Sequence, residues 1–334
     1  MSIIERILVT TDFSDNSKKA CQFAEKIAVS SSAVVDLIHV IPKNATFNEL
    51  IKKAVISTDK DSDNLDTLVL EESKQKLESL KRNQFSPDTQ GDAYVVKARN
   101  IAKTITSKAL DYNYSLIVIS AKGKQESSWF RGSTTEEVIR SSKVPVLCVY
   151  EDYDELEDGQ IVVPVDGSVL SMSATPLAAV MATIFNASIT YLYVHEEPAL
   201  LGTDVPDDSD EIKHRRTAEN LMDRLMDYLD TEKPHGLHVI DSEGLGITAL
   251  VFKNQEIGVS FETISGSSAH QEIISYANKF GDMVVITSHG RSGLAHMLLG
   301  SNAEKVALNT EKTVLIVRPD PKLFEKQKNV IPTS

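Results

Sequence analysis

The sequence predicts an α/β fold built from two tandem, doubly wound domains, each with a five-stranded parallel sheet. Three observations lead to this prediction. Short apolar runs alternate with helical patterns, the runs are uniformly apolar, and the second half of the chain repeats the first. Alternation of strand and helix is typical of βαβ units, and uniformly apolar strands are typical of a sheet covered on both faces.

The repeat is visible in four pairs of sequence blocks, which keep the same order in both halves. The pairs are 7–14 with 161–168, 118–123 with 285–290, 132–136 with 300–304, and 144–149 with 312–317. Blocks that return in order indicate two copies of one domain. The length of 334 residues also fits two domains.

The domain boundaries follow from the repeat and from the composition between its copies. Six of the nine residues in 151–159 are acidic, and their mutual repulsion predicts a solvated linker. We expect a first domain over 1–150, a second over 160–318 and a tail over 319–334. Because the second half is longer, we also expect an insertion at about 237–258.

Each element follows from its local pattern. The apolar, β-branched runs predict strands at 7–11, 34–40, 93–97, 116–120, 146–150, 161–165, 188–194, 259–264, 283–287 and 314–317. Helical periodicity predicts helices at 16–29, 66–82, 101–110, 134–141, 171–185, 211–229, 269–279 and 302–308. Ligands of such sheets bind beyond the carboxyl ends of the strands, so the residues that follow each strand are the candidate site.

Composition excludes several classes of protein. With 41% hydrophobic and 25% charged residues the chain is neither disordered nor fibrous in type. Its net charge of −13 repels phosphate backbones and anionic lipid, so we expect no nucleic-acid or membrane partner. Two cysteines in apolar surroundings, no membrane-length apolar run and no signal-like start predict a soluble, cytoplasmic protein.

Asp12 and Asp166 close the first strand of each half. A carboxylate at this edge can accept a hydrogen bond from a ribose hydroxyl or an adenine amine. The alternative role is a helix cap, which aspartate also favours. Ser14 and Ser168 can serve as caps instead, which favours the ligand role for Asp166 and leaves both roles open for Asp12.

A glycine-containing turn follows the fourth strand of the second half, with Gly290 and Gly300 at its ends. We expect these glycines to adopt positive φ and to let the backbone approach a ligand closely. Ser301 is expected to cap the next helix, with Glu304 completing a capping box. A helix start of this kind is an anion site, although a capped helix without a ligand is also common.

The stretch Thr287-x-x-Gly290-x9-Gly300-Ser301, together with Asp166, resembles the universal stress protein family and its G-x2-G-x9-G-S/T signature. Thr287 replaces the first glycine. The resemblance extends twice over nearly the whole chain, so the chain is similar to a tandem universal stress protein. It implies two Rossmann-like, ATP-binding folds.

The resemblance also implies which residues bind ATP, with Mg²⁺ held through the phosphates and no protein metal site. The first-strand aspartate and a second-strand valine hold adenosine, and the glycine turn with the following serine holds the phosphates. In the second half the implied residues are Asp166, Val194, Gly266, Thr287, Gly290, Gly300, Ser301 and Asn302. The weaker set in the first half is Asp12, Val40, Gly123, Gly132 and Ser133.

The first half departs further from the signature. Only eight residues separate Gly123 from Gly132, and Trp129 and Phe130 lie between them. Aromatic side chains in a phosphate loop are unfavourable, because burying an unpaired phosphate against apolar surface costs several kcal/mol. We therefore expect the second half to be the nucleotide site. The dinucleotide-like stretch 244–249 is not expected to be a cofactor loop, because residues 247–252 predict a strand.

The implied function is a stress-response protein that binds ATP or a related adenine nucleotide and acts through partner proteins. The alternative is an interaction or scaffold module with a vestigial nucleotide site. No acid–base constellation emerges, so we expect at most weak ATP hydrolysis. In the family, single domains dimerise through their last strands, so we expect an internal pseudo-dimer through 146–150 and 314–317, and a homodimer stays open.

Overall fold

The fold is taken from a computed structural model, in which residues 3–43, 62–121, 133–150, 158–197, 208–241, 247–290 and 299–323 are described. Two compact units are present, one over residues 2–151 and the other over residues 152–334. Each unit is an α/β domain built on a mostly parallel sheet. None of the helices among the described residues is long and apolar enough to cross a membrane.

The N-terminal unit alternates strands and helices as the sequence predicts. Its elements are β1 (Arg6–Thr10), α1 (Asp15–Ser31), β2 (Val34–Pro42), α2 (Ser62–Gln84), β3 (Gln90–Ala98), α3 (Ile101–Asp111), β4 (Leu116–Ser120), α4 (Ser133–Ser141) and β5 (Val146–Val149). The strands pair in the order β3–β2–β1–β4–β5, and every pair is parallel. The predicted five-stranded parallel sheet is confirmed for this unit.

The C-terminal unit repeats this plan and adds to it. Its elements are β6 (Gln160–Pro164), α5 (Val169–Met172), α6 (Thr175–Phe185), β7 (Ser188–Glu196), α7 (Asp208–Glu232), a 3₁₀ turn (Pro234–Gly236), β8 (His238–Asp241), β9 (Ile247–Phe252), β10 (Gln255–Gly266), α8 (Ala269–Phe280), β11 (Met283–Thr287), α9 (Ser301–Asn309) and β12 (Thr313–Val317). The described strands pair in the order β12–β11–β6–β7–β10–β9–β8.

The expectation of five strands is incomplete for the C-terminal unit. Five strands are parallel, but β9 pairs antiparallel with the first residues of β10, and β8 pairs antiparallel with β9. They lie within the predicted insertion, and β9 has the bounds that the sequence predicts. Residues 247–252 form a strand, as the sequence predicts, whereas the fingerprint of a dinucleotide loop needs a helix there.

One predicted helix, 171–185, is broken into α5 and α6. Pro176 stands in the first turn of α6. Proline has no N–H to donate, and its ring clashes with the preceding turn, so it is tolerated at a helix start but not inside a helix. The apolar period continues across the break, which is why periodicity alone predicts a single helix.

Helix α6 is buried on nearly every side, and it carries no charged residue. It packs against β6 and β7 and also against β9 and β10. A helix that is apolar all round needs cover on all its faces. Strand β9, with Leu250 fully buried and Phe252 at 3% exposure, supplies part of that cover. Strand β9 therefore belongs to the hydrophobic core.

We expect Leu250→Ala to destabilise the C-terminal unit by about 2–5 kcal/mol, because it removes a buried side chain and leaves a cavity. Thermal unfolding followed by circular dichroism measures the loss. The control is Val29→Ala in α1, where the side chain is 59% exposed. Equal melting temperatures for the two variants would contradict a core role for β9.

Candidate functional site

A cleft of about 430 Å³ opens at the carboxyl edge of the C-terminal sheet. It lies where the strand order reverses, because the chain runs outward from β6 through β7 on one side and from β11 to β12 on the other. Doubly wound sheets bind ligands at this reversal point. The volume falls within the range of about 300–1,000 Å³ that is usual for small-molecule sites.

The cleft brings together seven of the eight residues predicted for the second half. They are Asp166, Val194, Thr287, Gly290, Gly300, Ser301 and Asn302. The eighth residue, Gly266, does not line the cleft. It pairs with Glu196 across the sheet, and a Cβ at this position would lie 2.3–2.4 Å from side-chain atoms of Glu272. The Glu272 side chain therefore covers Gly266.

Asp166 is held in the turn that follows β6. Its Oδ1 accepts hydrogen bonds from the backbone N–H of Ser168 (3.0 Å) and from the Ser168 hydroxyl (2.6 Å). Gly167 supplies the turn with a φ of +78°. Ser168 also caps α5 by accepting from the N–H of Ser171 (3.2 Å). As the sequence predicts, the serine caps the helix, and the aspartate carboxylate lines the cleft instead.

The other carboxylate oxygen of Asp166 lies against Gly290. A Cβ added to Gly290 would sit 2.3 Å from Asp166 Oδ2, a distance at which one of the two must move. The end of β6 and the turn after β11 are thus in close contact. Any side chain at residue 290 would displace the carboxylate.

The expected positive φ at the two turn glycines is wrong. Gly300 has a φ of −72°, and Gly290 is not among the glycines with positive φ. At both positions another group of the protein lies too near the backbone for a side chain, and this explains why the residue is glycine. The N–H of Gly300 donates to the carbonyl oxygen of Ser288 at 2.6 Å, and a Cβ at Gly300 would lie 3.0 Å from that oxygen.

The expected capping box at α9 is also wrong. Gly300 is the N-cap, Ser301 is the first helical residue, and no side chain of the N-cap residue closes the turn. The hydrogen bond to Ser288 holds residue 300 in an extended conformation, so the helix starts at Ser301. With Ser301 as the cap, the helix would have started one residue later. The first-turn N–H groups of a helix have no intrahelical acceptor, so this end of the cleft suits an anion.

Glu196 is a cleft residue that sequence reasoning missed. It lies on β7 two residues beyond Val194, and its Oε1 accepts from the N–H of Ala269 at 2.8 Å. Residues two apart on a strand share a face, which is the signal that was available. Among the described residues that line the cleft, the acidic side chains are Asp166 and Glu196, His289 is the basic one, and there is no lysine or arginine.

The corresponding turn in the N-terminal unit has different surroundings. Asp12 is exposed, and its Oδ1 accepts from the N–H of Ser14 at 3.0 Å, as in the other half. Phe13 stands where Gly167 stands, with a φ of +66°, and its ring centroid lies 4.4 Å from that of His39. A non-glycine residue at positive φ is strained.

The remaining predicted residues of the first half are only partly described. Val40 is buried near the end of β2. Ser133 is the first residue of α4, as Ser301 is of α9. Gly123, Gly132, Trp129 and Phe130 lie outside the described residues, so the shorter loop stays a prediction.

The described part of the chain holds no group of three or more histidine, cysteine, aspartate or glutamate side chains that could bind a metal ion. A metal at the cleft would therefore need ligands from a bound molecule or from the undescribed loop.

Comparison with known proteins gives a consistent answer for both halves. The sequence model of the universal stress protein family matches residues 4–150 and again residues 159–318. A universal stress protein of Methanocaldococcus jannaschii is 28% identical over 166 residues, which cover 49% of this chain and 84% of that protein. YxiE of Bacillus subtilis, also a universal stress protein, is 30% identical over 162 residues, 48% of this chain and 98% of its own.

A solved structure has the same fold over almost the full length. It is a universal stress protein from Archaeoglobus fulgidus, which covers 95% of this chain and 97% of its own with a TM-score of 0.58. The identity is 17%, so this likeness concerns the fold alone.

His195 lies on β7 next to Glu196, on the opposite face of the strand, and its ring contacts that of His214 in α7. The His195 ring is edge-on to that of His214 at 5.0 Å, and its Nε2 is buried with no hydrogen-bond partner among the described residues. Burial, followed by the charges of Lys213 and His214, lowers the pKa of His195 below its usual value, and Glu197 only partly offsets this.

This lowered pKa makes stability depend on pH. The unfolded chain takes up a proton at an ordinary histidine pKa, about 6.5, whereas the folded chain takes it up only at lower pH. Stability is therefore lost as pH falls below the unfolded value and through the folded one. We expect His195→Gln to reduce the fall in melting temperature between about pH 7.5 and 5.5. An equal fall in the variant and the wild type would contradict this account.

Proposed function

This chain belongs to the universal stress protein family, of which it is a tandem, two-domain member, and from that premise we propose that its C-terminal domain binds ATP or a related adenine nucleotide. We further propose that the protein acts in the stress response through partner proteins. The boundaries expected from the sequence, 1–150, 160–318 and a tail over 319–334, are kept in this proposal.

One observation carries the nucleotide proposal: residues from four separate segments meet at one cleft. They come from the ends of β6, β7 and β11 and from the start of α9. Phosphates fit the α9 end, where Gly300 brings first-turn N–H groups to the cleft without a capping side chain. Asp166 stands beside it as an acceptor for ribose hydroxyls.

The opposite end of the cleft suits a nucleobase. Apolar side chains of Ile273 and Val194 line it together with Ala269. Flat, largely apolar bases favour such surroundings. In this proposal Mg²⁺ is held through the phosphates of the bound ATP. We propose that the first half binds nucleotide weakly or not at all.

The central test is the paired substitution Asp166→Ala and Asp12→Ala. Both remove a carboxylate that accepts from the serine N–H two residues on, so both disturb the same type of turn. We expect Asp166→Ala to weaken ATP binding by about 1–3 kcal/mol, the worth of a hydrogen bond to a charged group. Isothermal titration with Mg-ATP measures the change.

Asp12→Ala is expected to leave ATP affinity within about twofold of wild type, because only the second half binds in this proposal. The reverse pattern would exchange the roles of the two halves. A wild-type protein that binds no ATP would overturn the nucleotide proposal and favour the interaction-module function. The internal pseudo-dimer of the two halves stays a prediction from the sequence, and so does a homodimer of the protein.

A second test uses the contact between Gly290 and Asp166. We expect Gly290→Ala to push the carboxylate out of its position, because the new Cβ overlaps Asp166 Oδ2. ATP affinity should fall about tenfold, whereas the melting temperature should change little because a side chain can swing away. Titration and thermal unfolding measure the two effects.

Gly258→Ala is the matched control, since a Cβ at that glycine would only approach Ser188 at 3.9 Å. It should leave ATP affinity unchanged. Equal ATP affinities for the Gly290 and Gly258 variants would contradict the role of the close approach.

A further inference from the structure

The order of strands sets the orientation of a nucleotide in the cleft. The anion end belongs to β11 and α9, Asp166 belongs to the next strand β6, and Val194 and Glu196 belong to β7 beyond it. Their carboxyl ends therefore follow one another in this order along the edge of the sheet. This is the order of phosphate, ribose and base along a nucleotide, and it brings the edge of the base to Glu196.

The Glu196 carboxylate is held before any ligand arrives. Its Oε1 accepts from the N–H of Ala269, at the first residue of α8. No described residue donates a hydrogen bond to its Oε2. One oxygen thus anchors the group and the other remains as an acceptor at the apolar end of the cleft.

An ionised carboxylate only accepts hydrogen bonds, and this distinguishes purines by their 6-position. Adenine carries a 6-amino group, which donates. Hypoxanthine carries a 6-oxo group, which accepts and would face the carboxylate with an unfavourable contact. Glu196 is exposed without a ligand, so its carboxylate discriminates only when a base seated on the apolar residues of the cleft covers it from water. Sites that hydrogen-bond a donor under such cover discriminate against analogues that lack it, because their own polar group is then left unpaired.

We propose that Glu196 is a specificity-determining residue, which accepts a hydrogen bond from the 6-amino group of adenine and excludes 6-oxo purines. The inference rests on the proposed nucleotide function and on the orientation given by the strand order. The first half lacks this group, because Pro42 stands two residues beyond Val40 where Glu196 stands beyond Val194. A proline side chain neither donates nor accepts.

The experiment compares titrations of Mg-ATP and Mg-ITP, the inosine analogue, with wild type and Glu196→Gln. We expect wild type to bind ATP about tenfold more tightly than ITP or better, as a charge-assisted hydrogen bond provides. In Glu196→Gln the ratio should fall to within about threefold, because an amide both donates and accepts. The amide oxygen can still accept from Ala269, so the start of α8 is retained.

Glu262→Gln is the matched control, because it removes the same charge from an exposed position on β10 that does not line the cleft. It should keep the wild-type ratio. Glu196→Ala is a second variant, in which ATP affinity should fall about tenfold and ITP affinity should not fall. Circular dichroism and melting temperature establish that each variant is folded.

Each outcome decides between the two proposals. Wild type that binds ATP, with the same ATP-to-ITP ratio in both Glu196 variants, overturns this inference alone. Wild type that prefers ITP or GTP also overturns it and leaves nucleotide binding intact. Wild type that binds no nucleotide overturns the proposed function and this inference together.

Discussion

The geometry of the C-terminal cleft depends on one close approach, between the carboxylate of Asp166 and the backbone of Gly290. It joins the end of β6 to the turn after β11 at the point where the strand order reverses. Gly167 bends the chain to present the carboxylate, and Ser168 takes over the capping of α5. The hydrogen bond from Gly300 to Ser288 then sets the start of α9 at the same place. No side chain fits at either approach without displacement.

The two halves share a fold but differ in what surrounds it. Helix α1 carries three lysines and keeps an exposed face, whereas its counterpart α6 has no charge and needs cover from β9 and β10. In the turn after the first strand of each half, Phe13 and Gly167 both have positive φ. This conformation is strained for Phe13, which packs against His39, but not for glycine. Repetition of the sheet therefore does not imply repetition of the site.

Much of the fold was predictable because buried parallel strands leave a strong signal. Uniformly apolar runs mark β4 and β11 with the bounds that the structure has, and the other parallel strands to within four residues at each end. The break between α5 and α6 was missed since apolar periodicity continues through Pro176. The antiparallel strand β8 was missed because it is short and its sequence, His-Val-Ile-Asp, alternates too briefly to be distinctive.

The candidate site was predicted less completely, and the errors have a common cause. Positive φ at Gly300 and a cap at Ser301 are both local inferences, whereas the actual constraint is the contact of Gly300 with Ser288, twelve residues earlier in the chain. Glu196 was missed for the same reason. Its role depends on α8, which provides the N–H that fixes its carboxylate, and on the strand order, which places it at the far end of the cleft.

Strand β7 serves two environments at once, because successive side chains on a strand point to opposite faces. Val194 and Glu196 face the cleft, whereas His195 lies against His214 of α7 on the other side. The strand that forms this wall of the cleft thus also contacts α7, although α7 itself contributes no lining residue among those described. Burial and the charge of Lys213 favour the neutral ring of His195, whose Nε2 has no hydrogen-bond partner among the described residues.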